Sequence, residues 1–296
     1  MISKILGTCR DAMASFALTM ELRFKSRPET QSLVDASGES DSALTLNLSE
    51  VRFMKPSTLV TVAAVAAAHY ERHGNSTTVV APYSDDVRRY ASRMLLGRAL
   101  ADAGVTTTGL PYVRHHDRSD QLCELTRFRS NLEAGQLVNL VQRRCQGESL
   151  AFEVEDALTQ AVWELADNCL AHARVGYGFL VAQVLQYPRR ALHFAVADGG
   201  IGIRRSLIGT VHECEDDSSA IVAAAQRRVT SVRGRVRGIG LPNLLVRAVS
   251  SGGDVTIRSG TAAVSFGADQ NNDGFSAHPA NVDELVGTLV SGWLPC

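Results

Sequence analysis

The spacing of apolar and polar positions changes several times along this chain, and each change predicts an element. Phe16, Met20 and Phe24 recur at helical spacing within Met1–Arg27, so the pattern predicts helix there. Arg27–Ser42 is polar and turn-rich and predicts a loop or hairpin. Leu44, Leu46 and Leu48 then alternate with Thr45 and Asn47, the period of a half-buried strand. Pro56-Ser57 can open a helix, and the alanine-rich run Leu59–Arg72 suits a helix packed on a sheet. Gly74 and Asn75 stop it. Ser76–Tyr83 is β-branched and reads as a second strand. Ser84 or Asp85 caps a further helix, Asp86–Ala103, closed by Gly104.

The later pattern is different. Residues 114–130 are polar and charged and read as a linker between two domains, 1–113 and 131–296. His115 and His116 are adjacent, so they cannot share a helix face as paired metal ligands would; they read as exposed loop residues. Leu132–Cys145 predicts a helix. In Ala157–Ala173, Leu158, Val162, Leu165 and Cys169 form an apolar stripe, while Glu164, Asn168 and His172 fall on a neighbouring one. Ala191–Ile203 reads as a strand ending at Asp198, followed by Gly199, Gly200, Ile201 and Gly202. A second glycine turn, Arg237–Leu241, opens a helix over Pro242–Val249. Gly252–Gly260 and Thr261–Gly267 predict an antiparallel pair about Ser259-Gly260. A polar insert follows from Asp269 to about Asp283.

Composition narrows the class. The chain has 296 residues, long enough for two ordinary domains, with 45% hydrophobic and 21% charged residues, as in a soluble globular protein. A net charge of −1 gives no basic field to recommend nucleic acid. None of the six cysteines sits at CxxC spacing, which argues against a zinc ribbon and fits a reducing, cytoplasmic location. Neither a signal peptide nor a transmembrane segment is expected.

The candidate chemistry lies in the second half. A Glu and an Asn one helical turn apart can serve one metal–phosphate centre: the Asn168 oxygen is a hard ligand for Mg²⁺, and Glu164 can take a proton from water or a hydroxyl. Asp198, at a strand end beside glycines, can accept from an exocyclic amino group. Backbone N–H groups at Gly238-Ile239-Gly240-Leu241, where a helix starts, suit phosphates. No GxxxxGK[ST] occurs, and Arg205 stands where a dinucleotide fingerprint needs its third glycine.

In this order and spacing, WELADNCLAHA, ADGGIGI and RGIGL resemble the three boxes of the GHKL ATPases: gyrase, MutL, heat-shock chaperones, sensor histidine kinases and anti-sigma-factor serine kinases. The resemblance implies a Bergerat-type α/β sandwich, a mixed sheet with helices on one face. It implies Mg-ATP as ligand, with Asn168 on the metal, Asp198 on the adenine amino group and Glu164 as base. By the same resemblance Gly200 and Gly202 admit the adenine, Gly238, Gly240 and Leu241 line the phosphates, and Ser206–Arg237 is an ATP lid. Gly287-Thr288 and Leu294-Pro295 resemble the last strand of these proteins, where the Thr approaches the nucleotide.

The first half resembles the STAS domain of anti-sigma-factor antagonists, an α/β fold in which a Ser or Thr at a helix start accepts phosphate. Here the turn reads Met54-Lys55-Pro56-Ser57-Thr58, so Ser57 or Thr58 stands at that position. Lys and Pro replace the Asp and Gly of the pattern, and Ser57 also reads simply as an N-cap. Together the resemblances imply a cytoplasmic signalling switch with serine/threonine kinase activity on a regulatory protein partner, and they allow a homodimer. The alternatives are an ATP-gated interaction module or slow ATPase, and a histidine-kinase relative whose acceptor is on another protein.

Overall fold

The computed structural model describes residues 20–24, 31–32, 44–74, 77–111, 122–147, 152–171, 173, 175–186, 189–226, 240–268 and 275–296. The expectations for Phe16, His115, His116, His172, Gly238 and the arginines at 233, 235 and 237 lie outside these residues.

The first half contains β1 (Met20–Phe24), β2 (Gln31–Ser32), β3 (Leu44–Asn47), α1 (Pro56–His73), β4 (Thr77–Val80), α2 (Asp85–Arg93), α3 (Leu96–Ala101) and β5 (Thr106–Thr108). Strands β1, β3, β4 and β5 pair in parallel, and β2 runs antiparallel along β1. Met20–Phe24 is thus strand where spacing predicted helix. Its register with Leu44–Asn47 supplies long-range backbone bonds that a short local period cannot foresee. Of the loop or hairpin expected over Arg27–Ser42, the described Gln31–Ser32 pairs antiparallel with β1, with Arg23 opposite Ser32. The helix predicted for Asp86–Ala103 is divided. Leu95 takes a left-handed φ of 61°, and the Met94 carbonyl leaves the helical ladder to accept from Leu125 N–H at 3.2 Å.

The second half contains β6 (Leu122–Phe128), α4 (Asn131–Gly147), α5 (Phe152–Ala171), β7 (Gly178–Leu185), β8 (Ala191–Asp198), α6 (Ile203–Leu207), α7 (Asp217–Ala224), α8 (Gly240–Ser250), β9 (Asp254–Ala268) and β10 (Phe275–Pro295). The sheet order is β6-β7-β8-β10-β9. Every neighbouring pair is antiparallel, so the sheet is not the mixed one expected. β6 lies within the segment read as linker; it is short and interrupted by charge, and only its pairing with β7 makes it a strand. Ser259-Gly260 is not a hairpin turn. β9 passes through Gly260 at φ 58°, and both of its arms pair with β10, which also takes up part of the expected polar insert.

Both faces of this sheet are covered, where helices on one face were expected. Leu158, Val162 and Leu165 of α5 and Leu244 and Leu245 of α8 pack on Phe194, Val196, Val255 and Ile257. On the opposite face α1 joins Phe179, Val181, Ala195, Ala197 and Leu289 to Leu44 and Leu46 of the parallel sheet. That is why α1 is apolar on every side: it is a shared layer between two sheets, buried from Thr58 to His69. Its alanines let both sheets approach closely, and its wider residues, Leu59, Val60, Val62 and Val65, fill the gaps.

Polar bonds join the halves beside this core. Tyr90 Oη donates to Gln183 Oε1 at 2.7 Å. Arg127 pairs with Glu71 at 2.6 Å, donates to the Asp102 carbonyl at 2.9 Å, and stacks 4.1 Å above the Tyr177 ring. Among the described residues no helix is long and apolar enough to cross a membrane.

Candidate functional site

Strand parity decides where Asp198 goes. Leu192, Phe194 and Val196 point into the α4–α5–α8 side of the sheet, and Asp198 follows them. A carboxylate therefore stands where an apolar side chain would serve packing better, only 7% exposed. Gly200 N–H donates to its Oδ1 at 2.8 Å, and the Cys169 thiol lies 3.7 Å from Oδ2. Thr288 is its register partner on β10. Burial pushes the Asp198 carboxyl up from 3.8 to about 6; the Gly200 N–H, the Cys169 thiol and the Thr288 backbone hold it down in part. Burial first, then the charge of Asp198, raise Cys169 well above the ordinary thiol range, so it remains a donor.

Backbone bonds tie the end of α5 to the turn after β8. Ala173 N–H donates to the Asn168 carbonyl at 3.3 Å, and the Ala173 carbonyl accepts from Ile201 N–H at 3.1 Å. Gly200 is required by this link, because a Cβ there would lie 2.1 Å from the Ala173 oxygen. The space beside Gly200 is thus taken by Ala173. Gly202, at φ 78°, carries the chain on so that Ile203 N–H reaches Ser259 Oγ at 2.8 Å, and that hydroxyl donates to the Gly287 carbonyl at 3.0 Å. The turn is thereby fastened to α5, β9 and β10 together.

The other sequence-selected residues fall around this centre. Asn168 is exposed and Glu164 half-buried, both on α5, next to the stripe that carries Cys169. Gly240 is the first residue of α8, and Leu241 is buried in the helix layer; Gly238 lies outside the described residues. The first part of the expected lid is part of the body. α7 opens on a capping box in which Ser219 N–H donates to Asp216 at 2.7 Å. Ala220 and Ile221 are fully buried, and Asp217 accepts from Thr261 N–H and Oγ1 at 2.8 and 2.9 Å. At the start of α1 the cap is Lys55, with Pro56 in the first turn, so Ser57 is not an N-cap. Thr58 is buried and Ser57 is more open.

Sequence reading missed two contacts at this centre. Cys169 was visible only as a buried thiol, since nothing in one sequence says which strand end its stripe will meet. Arg72, at the far end of α1, donates from Nη2 to the Gly199 carbonyl at 3.1 Å. It belongs to the other half of the chain, and no local pattern connects the two. No protein-family profile matches the chain, and no curated protein matches it.

Proposed function

We propose that this protein is a Mg-ATP-binding switch of the GHKL type. The observation that supports it best is the convergence on Asp198: the end of α5, the glycine turn after β8 and the last strand at Thr288 meet at one buried carboxylate. A purine amino group needs an acceptor fixed in a dry wall, and the Asp198 carboxylate, with the Gly200 N–H on Oδ1 and the Cys169 thiol no closer than 3.7 Å to Oδ2, is such an acceptor.

The remaining roles follow from placement on α5 and α8. Asn168 would offer its exposed amide oxygen to the metal. Mg²⁺ in such a site would be carried mainly by phosphate and water. The start of α8 at Gly240 would turn N–H groups toward phosphate. Bound Mg-ATP supplies a transferable phosphoryl group; Glu164 would hold the proton of the accepting hydroxyl.

The particular role we favour is phosphorylation of a serine or threonine on a regulatory partner, in a cytoplasmic signalling circuit. The alternative, an ATP-gated interaction module, is favoured by the docking of α1 against the glycine turn, which joins the two halves without requiring turnover.

Titration with Mg-ATP, by calorimetry, tests the site. Binding by the wild type and its loss in Asp198→Asn is the expected result; equal affinity in both removes Asp198 from the adenine. Incubation with γ-labelled ATP and cell extract then separates the roles. Label on a protein that disappears with Glu164→Gln supports the kinase, free phosphate alone an ATPase, and binding with neither the gated module.

A further inference from the structure

The Gly199–Gly200 peptide is held at both ends by side chains from different halves of the chain. Its N–H donates to Asp198 Oδ1 at 2.8 Å, and its carbonyl accepts from Arg72 Nη2 at 3.1 Å. A peptide is planar, so its N–H and C=O turn together. Whatever fixes the carbonyl therefore also aims the N–H that orients the Asp198 carboxylate.

The approach that allows this is built over three small residues, Ala64 and Ala68 of α1 and Gly199 of the turn. Ala64, Ala68 and Arg72 follow one another by single helical turns along α1. A Cβ placed on Gly199 would lie 2.5 Å from Ala68 Cβ and 2.8 Å from the Ala64 carbonyl oxygen, so only glycine lets the helix touch the turn. α1 runs along β8: Lys55, at its start, is close enough to His193 to help burial depress that imidazole, and Arg72, at its end, reaches Gly199. The adjacent Glu71 is paired with Arg127 of β6, which anchors the same helical turn to the second sheet. A shift of α1 by part of an ångström would be felt at Gly199 first, because packed interfaces do not deform smoothly.

We propose that Arg72 is a positioning residue for the nucleotide site and that α1 is the element through which the first half of the chain controls it. This rests on the nucleotide reading for its consequence, but its physical core, control of the Asp198–Gly200 turn by Arg72, does not. Arg72 touches no reacting atom; it acts through the Gly199 carbonyl. Events on the parallel sheet or at Ser57 would reach the adenine carboxylate by moving α1.

The test compares full-length wild type with Arg72→Met, which keeps the stem and removes the donor, and Arg72→Lys, which restores one donor. Amide exchange of Gly200 is measured without nucleotide, and Mg-ATP affinity by calorimetry. Arg72→Met should speed exchange at Gly200 and weaken Mg-ATP by about tenfold, the loss of one charge-assisted hydrogen bond. Arg72→Lys should recover most of both, which a purely structural defect would not. Unchanged exchange in Arg72→Met overturns the proposal whatever the nucleotide data show. Faster exchange with unchanged Mg-ATP affinity overturns control of the site. Faster exchange in a protein whose wild type binds no Mg-ATP upholds Arg72 as the turn's positioning residue and sinks the nucleotide reading alone.

Discussion

Asp198 and Thr288 stand opposite each other in register on β8 and β10, although one closes a strand and the other lies near the end of the chain. The pairing places the backbone of Thr288 against a carboxylate that burial holds partly toward its neutral form. Just before Thr288, Gly287 has φ 91°, and a Cβ on it would lie 2.0 Å from the Asp198 carbonyl oxygen. The last strand is thus shaped to come within backbone contact of the candidate site.

That contact makes Gly287→Ala a sharp probe. The substitution meets both a left-handed backbone and a clash with backbone that has no rotamer to escape into. It should destabilise the protein by about 2 kcal/mol, measured by urea unfolding, and weaken Mg-ATP at temperatures where the variant remains folded. Wild-type stability in Gly287→Ala would show that β10 can withdraw from Asp198 freely.

Asp198→Asn should separate stability from binding. The carboxylate is buried at a cost, so a neutral amide of the same shape should leave the melting temperature unchanged or slightly raised. Mg-ATP affinity should nevertheless fall by about tenfold or more, since an amide presents one acceptor oxygen where the carboxylate presents two. A fall in both quantities together would mark Asp198 as a structural residue.

The pH dependence follows from the same group. Its folded value, about 6, is above the 3.8 of the unfolded chain, so the native state holds this proton more tightly. For Asp198, stability is greatest below 3.8 and declines as pH rises through about 6, where the folded carboxyl ionises. Nucleotide affinity should have the opposite sense: an acceptor is needed, so Mg-ATP binding should strengthen as pH rises from 5 to 7. Asp198→Asn should be flat over that interval, and a wild-type profile that is equally flat would detach the adenine from this carboxylate.

How far the sequence reaches is visible in particular residues. The stripe of Leu158, Val162, Leu165 and Cys169 gave the buried side of α5, and the alternation about Leu46 gave β3, because each period is local. Asp198 could be placed at a strand end for the same reason, while Thr288 is assigned to a final strand by its resemblance to the last strand of the GHKL ATPases. What failed was non-local. β6 is paired only through β7, Met20–Phe24 through β2 and β3, and β9 continues through Gly260 because β10 accompanies both arms. The covering of the second face by α1 was hinted by a helix apolar on all sides, yet the sheet it would share was not readable. The contacts of Cys169 with Asp198 and of Arg72 with Gly199 join segments distant in the chain, so no local period announces them.

The union of the halves can be measured through Arg127. Its guanidinium meets Glu71 of α1, the Asp102 carbonyl and the Tyr177 ring, and its side chain is only 7% exposed while that of Glu71 is 39% exposed. Breaking such a pair from the buried side leaves an orphaned partner, but the exposed Glu71 can turn to water. Arg127→Met should therefore cost about 2 kcal/mol, between the cost of an exposed pair and that of a fully buried one, and Glu71→Gln clearly less. A double-mutant cycle by urea unfolding should give a coupling between them of about 1 kcal/mol. Zero coupling would mean that the stacking on Tyr177, and not the ion pair, holds Arg127 in place. If the halves unfold as one unit, both single substitutions should move one common transition; two separate transitions in the wild type would show that α1 docks on a sheet already stable without it.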